Sequence, residues 1–333
     1  MAKIIKKKNI PFFLEELKKK YPVYAPIKKG SDYVFESIAD IPAEEVVLEY
    51  PITILPPKKF FFPQKETLFE FTGKKYPDKI SKNKNNLSQK SVLFGVHLYD
   101  IHGLLILDTV FKNPKDDFYY TSRRKNTIVI GLTCPARSFS FYEALGLDTH
   151  TGYDLFLEDI GDAFLAISES TEGEKFLKMP FFEESKWREG INETSPQNIF
   201  ADMEKLSRAV QQRKSKIWDE LADICFGCGI CSYVCPVCYC FETEDQVNFD
   251  LCSGCRTRRW DACFLPDFSS VAGGHNFREK LKDRSYHWYW HKFVQMPQEI
   301  GKVGCVGCGR CIYYCPAKIN YRKTLEKLLN QVK

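Results

Sequence analysis

Short apolar runs rich in β-branched and aromatic residues recur along the first 200 positions of the chain. Two of them, 153–158 and 163–168, are close enough to predict a hairpin with Gly161 in its turn. The run 103–111 predicts either a helix or a strand, because periodicity alone does not separate the two at this length. Four other runs predict strands: 45–50, 67–71, 91–98 and 126–131.

Polar segments divide these runs and suggest where domains meet. Residues 73–88 are rich in Lys, Asn and Ser, which predicts a surface loop. A helix is expected over 201–221, with Asn198 as its candidate N-cap. We therefore place a domain boundary near residue 200, between a mixed α/β sheet domain (1–200) and a cysteine-rich domain (201–333).

Composition and charge narrow the function classes. With 44% apolar and 27% charged residues, the 333-residue chain is expected to fold into about two domains. A net charge of +5 gives no strong footprint for nucleic acid or membrane surfaces. The most apolar stretch, 91–111, contains His97, Asp100 and Asp108, which disfavours a membrane span. No signal peptide is recognisable, so we expect a cytoplasmic protein with reduced thiols.

Eight of the 14 cysteines lie in two copies of one motif. Residues 225–236 read Cys-Phe-Gly-Cys-Gly-Ile-Cys-Ser-Tyr-Val-Cys-Pro, and residues 305–316 read Cys-Val-Gly-Cys-Gly-Arg-Cys-Ile-Tyr-Tyr-Cys-Pro. In this spacing three thiolates bind one [4Fe-4S] cubane, and the fourth, before the proline, binds the other cluster. The expected ligands are Cys225, Cys228, Cys231 and Cys315 for cluster 1, and Cys305, Cys308, Cys311 and Cys235 for cluster 2.

Two other interpretations of the motifs are weaker. Structural zinc sites usually pair two short C-x2-4-C units and do not run four cysteines into a proline. Disulfides are disfavoured by the reducing compartment and by the strain that the tight spacing would impose. The glycines at 227, 229, 307 and 309 also suit a cluster, because they permit tight loops whose amides can point at sulfur.

Five more cysteines lie in the insert 237–304, between the two motifs. Four thiolates are enough for a third site, and the C-x-C and C-x2-C pairs flank a possible strand over 246–249, which predicts folding back around one metal. A third [4Fe-4S] cluster is expected, with zinc or free structural thiols as the alternatives. The candidate ligands, four of the five, are Cys238, Cys240, Cys252, Cys255 and Cys263.

A few other residues invite a functional interpretation. Cys134 stands alone after a predicted strand and is expected to be a buried apolar thiol. His287 and His291 lie four apart in an aromatic run, and packing beside the clusters is the simpler expectation for them than metal binding. The arginines within 256–259 are expected to form a solvated or partner-facing strip.

The chain contains no dinucleotide-binding, P-loop, haem-attachment or zinc-protease signature. A reductase that acts alone needs an organic cofactor or a catalytic metal for its substrate. We therefore expect no catalytic residues, with enzyme activity supplied by another subunit. A flavin bound without a fingerprint would instead make the chain a reductase in its own right.

Six segments resemble the iron–sulfur β subunit of soluble NAD(P)-linked nickel–iron hydrogenases, the sulfhydrogenases, and the related iron–sulfur subunit of anaerobic sulfite reductase. The six segments are 56–62 (Pro-Pro-Lys-Lys-Phe-Phe-Phe), 94–101 (Phe-Gly-Val-His-Leu-Tyr-Asp-Ile), 106–111 (Ile-Leu-Asp-Thr-Val-Phe), 235–240 (Cys-Pro-Val-Cys-Tyr-Cys), 258–263 (Arg-Arg-Trp-Asp-Ala-Cys) and 272–278 (Ala-Gly-Gly-His-Asn-Phe-Arg). The segments 258–263 and 272–278, together with 305–316, look closer to the hydrogenase branch.

The resemblance has two departures. Many relatives carry a further cysteine set in the N-terminal domain, which would align with Tyr99, Cys134, Ser140 and Tyr142, and here only Cys134 remains. Conversely, the two cysteines at 252 and 255 are unusual among such relatives. The hypothesis is that this chain lost one cluster site and reinforced another in the insert.

The resemblance implies an α+β fold, with an N-terminal sheet domain before a two-[4Fe-4S] ferredoxin-like domain. It implies an electron-transfer subunit of a hetero-oligomer, which relays single electrons between a flavin-containing NAD(P)H subunit and a catalytic metallosubunit. The charge and the absence of a recognisable signal peptide add the expectation of a cytoplasmic complex without nucleic acid or membrane partners. The alternative is a redox-sensing or structural iron–sulfur interaction module.

Overall fold

The computed structural model describes residues 2–73, 79–82, 87–134, 137–147, 151–185, 200 and 202–332. The strands in these ranges are β1 (Ala2–Lys6), β2 (Val23–Lys29), β3 (Asp32–Ser37), β4 (Lys65–Thr72), β5 (Lys79–Lys82), β6 (Ser91–Val96), β7 (Thr127–Leu132), β8 (Leu155–Asp159), β9 (Ala163–Ser168), β10 (Glu183–Ser185), β11 (Phe241–Val247) and β12 (Ser253–Trp260).

The α-helices in the described ranges are α1 (Ile10–Lys18), α2 (Leu98–Val110), α3 (Phe118–Lys125), α4 (Thr171–Leu177), α5 (Met203–Val210), α6 (Ile217–Ile224), α7 (Ile230–Tyr233), α8 (Leu281–Trp290), α9 (Met296–Ile300), α10 (Arg310–Tyr313) and α11 (Tyr321–Leu329). A π-helical turn, His291–Gln295, continues α8 into α9. Short 3-10 turns cover Lys7–Asn9, Ala43–Glu45, Pro57–Phe60, Glu143–Leu145 and Pro266–Ser269.

An eight-stranded mixed sheet forms the N-terminal half, in the order β10-β1-β9-β8-β7-β6-β2-β3. Its central strands β2, β6, β7 and β8 are parallel, and antiparallel pairs close both edges. The predicted strands 91–98 and 126–131 are confirmed by β6 and β7, and the predicted hairpin by β8 and β9. The α+β class is thus confirmed.

Helices cover both faces of this sheet. Successive side chains of a strand point to opposite faces, so the apolar side chains on each face pack against a different helix. Val92 and Phe94 of β6 pack with α1 residues such as Phe13 in one core. Leu93, between them, faces the other core, which includes Leu104 of α2. Strands buried on both faces read as continuous apolar runs, which explains why β6 and β7 were recognisable from composition.

The ambiguous run 103–111 belongs to helix α2. Its apolar residues follow no single stripe because the helix is buried on two sides, by the sheet and by the cysteine-rich half. Gly103 permits the close approach on the second side: a Cβ there would lie 3.0 Å from the Cβ of Pro236, the proline that ends the first motif. The helix therefore connects the sheet to the metal-binding motifs.

Several predicted elements are wrong in detail. The run 45–50 is not a strand, since the chain makes the 3-10 turn Ala43–Glu45 and Val46 forms only an isolated bridge to Ile27. The predicted loop 73–88 contains β5, which pairs with β4, and much of the rest of it lies outside the described residues.

The predicted helix 201–221 is two helices, α5 and α6. The chain turns between them, and the indole N–H of buried Trp218 donates to the Gln212 carbonyl at 2.8 Å. The side chain of Asp202 caps α5, while the predicted cap Asn198 lies outside the described residues.

A second, four-stranded sheet has the order β11-β12-β4-β5, with every pair antiparallel. It combines a hairpin of the insert with strands from the first 200 residues, so the two predicted domains share a sheet. Arg258 of β12 is buried between Glu66 (2.6 Å) and Asp117 (2.5 Å). The expectation of an exposed arginine strip is therefore wrong for Arg258, whose charge is neutralised inside the fold.

Candidate metal centre

Both cysteine motifs have the same local conformation. In each, the first cysteine precedes a loop with two glycines of positive φ, and a one-turn helix follows, α7 or α10. The N–H of Gly227 donates to the Cys225 sulfur at 3.4 Å, and the N–H of Gly307 donates to the Cys305 sulfur at the same distance. This repeat of amide-to-sulfur contacts is what the glycine positions predicted, and such contacts stabilise thiolate ligands.

The first predicted ligand set surrounds one small cavity that opens to solvent. Its wall contains three cysteines of the first motif and the last cysteine of the second motif, together with apolar side chains such as Phe264 and Tyr321. Cys228 is exposed and the neighbouring Phe226 is 71% exposed, so this cavity lies at the surface. The four cysteines in its wall are Cys225, Cys228, Cys231 and Cys315.

The second predicted set surrounds another cavity of similar size. Here the second motif supplies three cysteines and the first motif supplies its last one, so the structure brings the motifs together in the crossed arrangement that their spacing predicts. Phe141, Trp288 and Lys292 also line this cavity. Its cysteines are Cys305, Cys308, Cys311 and Cys235.

These thiols suit a cluster chemically. Burial raises the pKa of Cys231 to about 12 and that of Cys308 to about 12, so neither ionises readily at neutral pH unless iron replaces its proton. Within the described ranges, no group of three or more Cys, His, Asp or Glu residues has the geometry to bind a single metal ion. Four thiols around a cavity, rather than around a point, fit a cubane better than zinc.

A buried lysine touches the second cavity. Lys292, in the π-helical turn, donates to the Cys235 sulfur at 3.3 Å and to the Gly304 carbonyl at 2.9 Å. Burial lowers the pKa of Lys292, but the sulfurs of Cys235, Cys238 and Cys305 raise it, and the net shift is upward. The ammonium therefore stays charged beside the cluster ligands.

A second buried cation, Lys58, lies behind the same region. Its amine donates to the Cys238 carbonyl at 2.6 Å and stands 4.3 Å from the centre of the Trp260 ring. Burial lowers the pKa of Lys58, although the surrounding cysteine sulfurs oppose that shift. Lys58 thus contacts the main chain of the insert rather than a predicted cluster ligand.

A fully buried ion pair anchors the second motif to the sheet domain. Arg310, between Cys308 and Cys311, makes two hydrogen bonds to the Asp100 carboxylate of α2, at 2.6 and 2.8 Å. The same guanidinium donates to the carbonyl and the hydroxyl of Thr53. Each of these donors has a partner, so the loop that carries three ligands of cluster 2 is fixed to the N-terminal half.

The structure does not bring four of the five insert cysteines together. Cys252 and Cys255 lie at the turn end of the hairpin β11–β12, whereas Cys240 and Cys263 flank its other end. Cys255 is opposite Gln246 and is five residues from Trp260, which closes the hairpin, a separation of about 17 Å along the strand. The expectation that four of the five thiols surround one metal is therefore wrong, because extended strands hold the two pairs apart.

The three remaining insert cysteines lie near the clusters. Hydrogen bonding from the neighbouring Cys263 thiol lowers the pKa of Cys240 to about 7, and the neighbouring Cys238 thiol lowers the pKa of Cys235 in the same way. The hydroxyl of Ser232 is 3.8 Å from the Cys263 sulfur, which places that thiol beside the first motif.

The lone cysteine and the histidine pair make contacts within the fold. Cys134 is half-buried rather than fully buried, and this burial raises the pKa of its thiol to about 11. The rings of His287 and His291 stack at 5.9 Å, and burial lowers the pKa of each to about 4. His291 also hydrogen-bonds the Tyr239 hydroxyl at 3.2 Å, which accounts for it without a metal.

Sequence reasoning missed Lys292, Lys58 and the pair Asp100–Arg310. Lys58 and Asp100 lie in two of the segments that carry the family resemblance, and Arg310 lies inside the second motif, so these three had a positional signal. Lys292 had only its charge within an aromatic run, because its contact with Cys235 joins residues 57 positions apart.

Comparison with known proteins agrees with this geometry. Residues 224–319 match the family model of the 4Fe-4S dicluster domain. The chain is 37% identical to sulfhydrogenase 2 subunit β of Pyrococcus furiosus over 336 aligned positions, which cover 96% of this chain and 95% of that protein. No solved structure matches the chain. Among the described residues, no helix has the length and apolarity needed to cross a membrane.

The fold and the two cavities define a [4Fe-4S] iron–sulfur protein built for electron transfer. More specifically, the chain belongs to the family of the sulfhydrogenase β subunits.

Proposed function

We propose that this chain relays single electrons through two [4Fe-4S] clusters held by the crossed cysteine sets. The observation that carries the proposal is the pair of cavities, each lined by three cysteines of one motif and the fourth of the other. The clusters supply reversible one-electron chemistry when bound. The chain's own residues ligate them, donate amide hydrogen bonds to the ligand sulfurs and limit access of water.

The two sites differ in depth, so the proposed relay runs between a cluster near the surface and a more buried cluster. The first cavity opens at the surface beside Phe226 and Ile224, which are 71% and 51% exposed. The second lies against α2 and the loop around Phe141, whose N–H donates to the Gly307 carbonyl at 2.8 Å. We place the docking face of one redox partner around residues 224–228, where a partner's cofactor can approach cluster 1.

Membership of the family supports a proposal for the partners. The relative's name makes it a component of a sulfhydrogenase, so we propose that this chain works in a cytoplasmic hetero-oligomer. The proposed neighbours are an electron-input subunit with a flavin for NAD(P)H and a catalytic metallosubunit. Substrate chemistry would then belong to the neighbours. Copurification of a tagged chain from its anaerobically grown host tests this, and a chain that returns alone contradicts it.

The number of clusters is tested by metal content. We expect about 8 iron and about 8 acid-labile sulfide per chain, without zinc, after anaerobic purification. Because Cys252 and Cys255 lie at the far end of the hairpin, replacing both by alanine should leave these values unchanged. About 12 iron in the unmodified chain, falling to about 8 in the double variant, would restore the third-cluster hypothesis.

The same preparation separates a relay from a redox sensor. Relay clusters should be reduced and reoxidised repeatedly with constant iron content and an unchanged spectrum. Loss or conversion of a cluster in the first cycle, with altered partner binding, would instead favour the sensing module. Flavin retained by the isolated chain would favour a reductase in its own right.

A further inference from the structure

The second cluster cavity contains a charge that the first lacks. Among the residues that line the first cavity, none carries a charged side chain other than its cysteines. The second is lined by Lys292, which is 2% exposed. A buried charge is screened little by salt or water, so its effect on a neighbouring anionic centre is strong.

The position of Lys292 is held from several sides. Its amine donates to the Gly304 carbonyl, and the Gly304 N–H donates back to the Lys292 carbonyl at 2.8 Å. A Cβ at residue 304 would lie 2.4 Å from the Met296 sulfur and 3.0 Å from the Lys292 Cα, so only glycine fits there without displacing the lysine. The amine also lies 4.9 Å from the centre of the Trp288 ring, in a cation–π contact.

The donors of this amine are directed at the cluster. An ammonium group has three N–H donors, and here one reaches the Cys235 sulfur and one the Gly304 carbonyl. The same side chain lines the cavity that cluster 2 would fill. The lysine also joins the two motifs, since Cys235 is the last cysteine of the first and Gly304 directly precedes the second.

We propose that Lys292 sets the reduction potential of cluster 2. One electron added to a cluster adds one negative charge, and burial away from water makes that charge costly. A fixed positive charge and an N–H bond to a ligand sulfur stabilise the reduced form, so they raise the potential. Lys292 is thus a positioning and tuning residue that allows a buried cluster to accept an electron from the surface cluster.

The pair Asp100–Arg310 does not serve the same purpose. Arg310 is near Cys308, but both of its terminal nitrogens face the Asp100 carboxylate, so the two charges cancel locally. Lys292 has no carboxylate partner among the described salt bridges, which leaves its charge for the sulfurs. This difference makes Lys292 the residue to test.

The test combines two measurements on the full, anaerobically purified chain. The first labels all lysines with ¹⁵N and searches for ¹⁵N hyperfine coupling to the reduced clusters by pulsed electron paramagnetic resonance. We expect coupling on one cluster signal and its disappearance in Lys292→Arg. Absence of coupling in the unmodified chain would overturn the proposal without any substitution.

The second measurement is a potentiometric titration of both cluster signals in Lys292→Met. The signal that carries the ¹⁵N coupling should shift to more negative potential by at least a factor of ten in its one-electron equilibrium, about 59 mV, while the other signal stays in place. Lys292→Arg should restore at least half of the shift. As a control, Lys282→Met removes an exposed lysine of α8, paired with Asp219, and should move neither signal.

This inference rests on the proposed ligand set of cluster 2, and the two can fail separately. Iron content reports the ligand set, whereas the potential reports the lysine. An unshifted potential with full iron content in Lys292→Met, or an equal shift of both signals, would refute the role of Lys292. If Lys292→Met loses iron, the ¹⁵N coupling and the Lys292→Arg titration still decide the question.

Discussion

Replacing Cys315 by alanine should remove about four of about eight irons per chain, and the lost cluster should be the one bound by the other motif. Cys315 is buried in the wall of the first cavity with Cys225, Cys228 and Cys231, although it lies 80 or more positions further along the chain. Alanine is the sharper substitution because a serine oxygen can still bind iron. Iron, sulfide and the reduced cluster signals measure the result.

Double variants distinguish the crossed arrangement from one in which each motif holds its own cluster. If the ligands are crossed, Cys225→Ala with Cys315→Ala removes one cluster, and Cys308→Ala with Cys315→Ala removes both. If each motif is self-contained, the two outcomes exchange, which would refute the assignment. Cys255→Ala, at the far end of the insert hairpin, is the matched control and should keep all of its iron.

The cysteine sets were predictable because each motif shows its pattern within twelve consecutive residues. A fixed spacing and a following proline determine which thiols can reach one cubane, and the structure places the same eight residues around its two cavities. The insert was not predictable in this way. Its cysteine pairs are close in sequence, but β11 and β12 are extended, and the pairing of Gln246 with Cys255 separates them from Cys240 and Cys263.

The same distinction applies to the fold. Buried central strands such as β6 and β7 were recognisable from their apolar runs, whereas the sheet that joins β12 to β4 pairs residues about 190 positions apart. No local pattern encodes such a pairing. Arg258 was misjudged for that reason, because its partner Glu66 belongs to the other end of this non-local contact.

Residues around a cofactor are the hardest part to predict. Arg310 reads as an ordinary variable position of the C-x2-C-x2-C motif, and Asp100 reads as a polar interruption of an apolar run. Only the tertiary structure joins them, across 210 positions, and buries both completely. Each of these charges would be unfavourable if it were buried alone. As an ion pair they neutralise each other and hold the cluster 2 loop against α2.

Removal of one partner from this pair should destabilise the protein severely. Arg310→Met leaves the Asp100 carboxylate buried without a counter-charge, and we expect the free energy of unfolding to fall by about 3–5 kcal/mol. Burial already raises the pKa of Asp100, with Arg310 opposing that shift, so loss of Arg310 should also favour protonation of the carboxyl group. Anaerobic guanidinium unfolding, followed by circular dichroism, measures the change.

Two further variants separate the buried pair from a general loss of charge. Arg322→Met removes the half-exposed partner of Glu326 on α11, an i,i+4 contact worth only about 0.3–0.5 kcal/mol, and should leave stability nearly unchanged. Asp100→Leu combined with Arg310→Met leaves no buried charge, so it should recover more than half of the loss seen in Arg310→Met. Additive losses in the double variant would mean that the two residues stabilise the fold through separate contacts, and that the cluster 2 loop is held by Thr53 rather than by the ion pair.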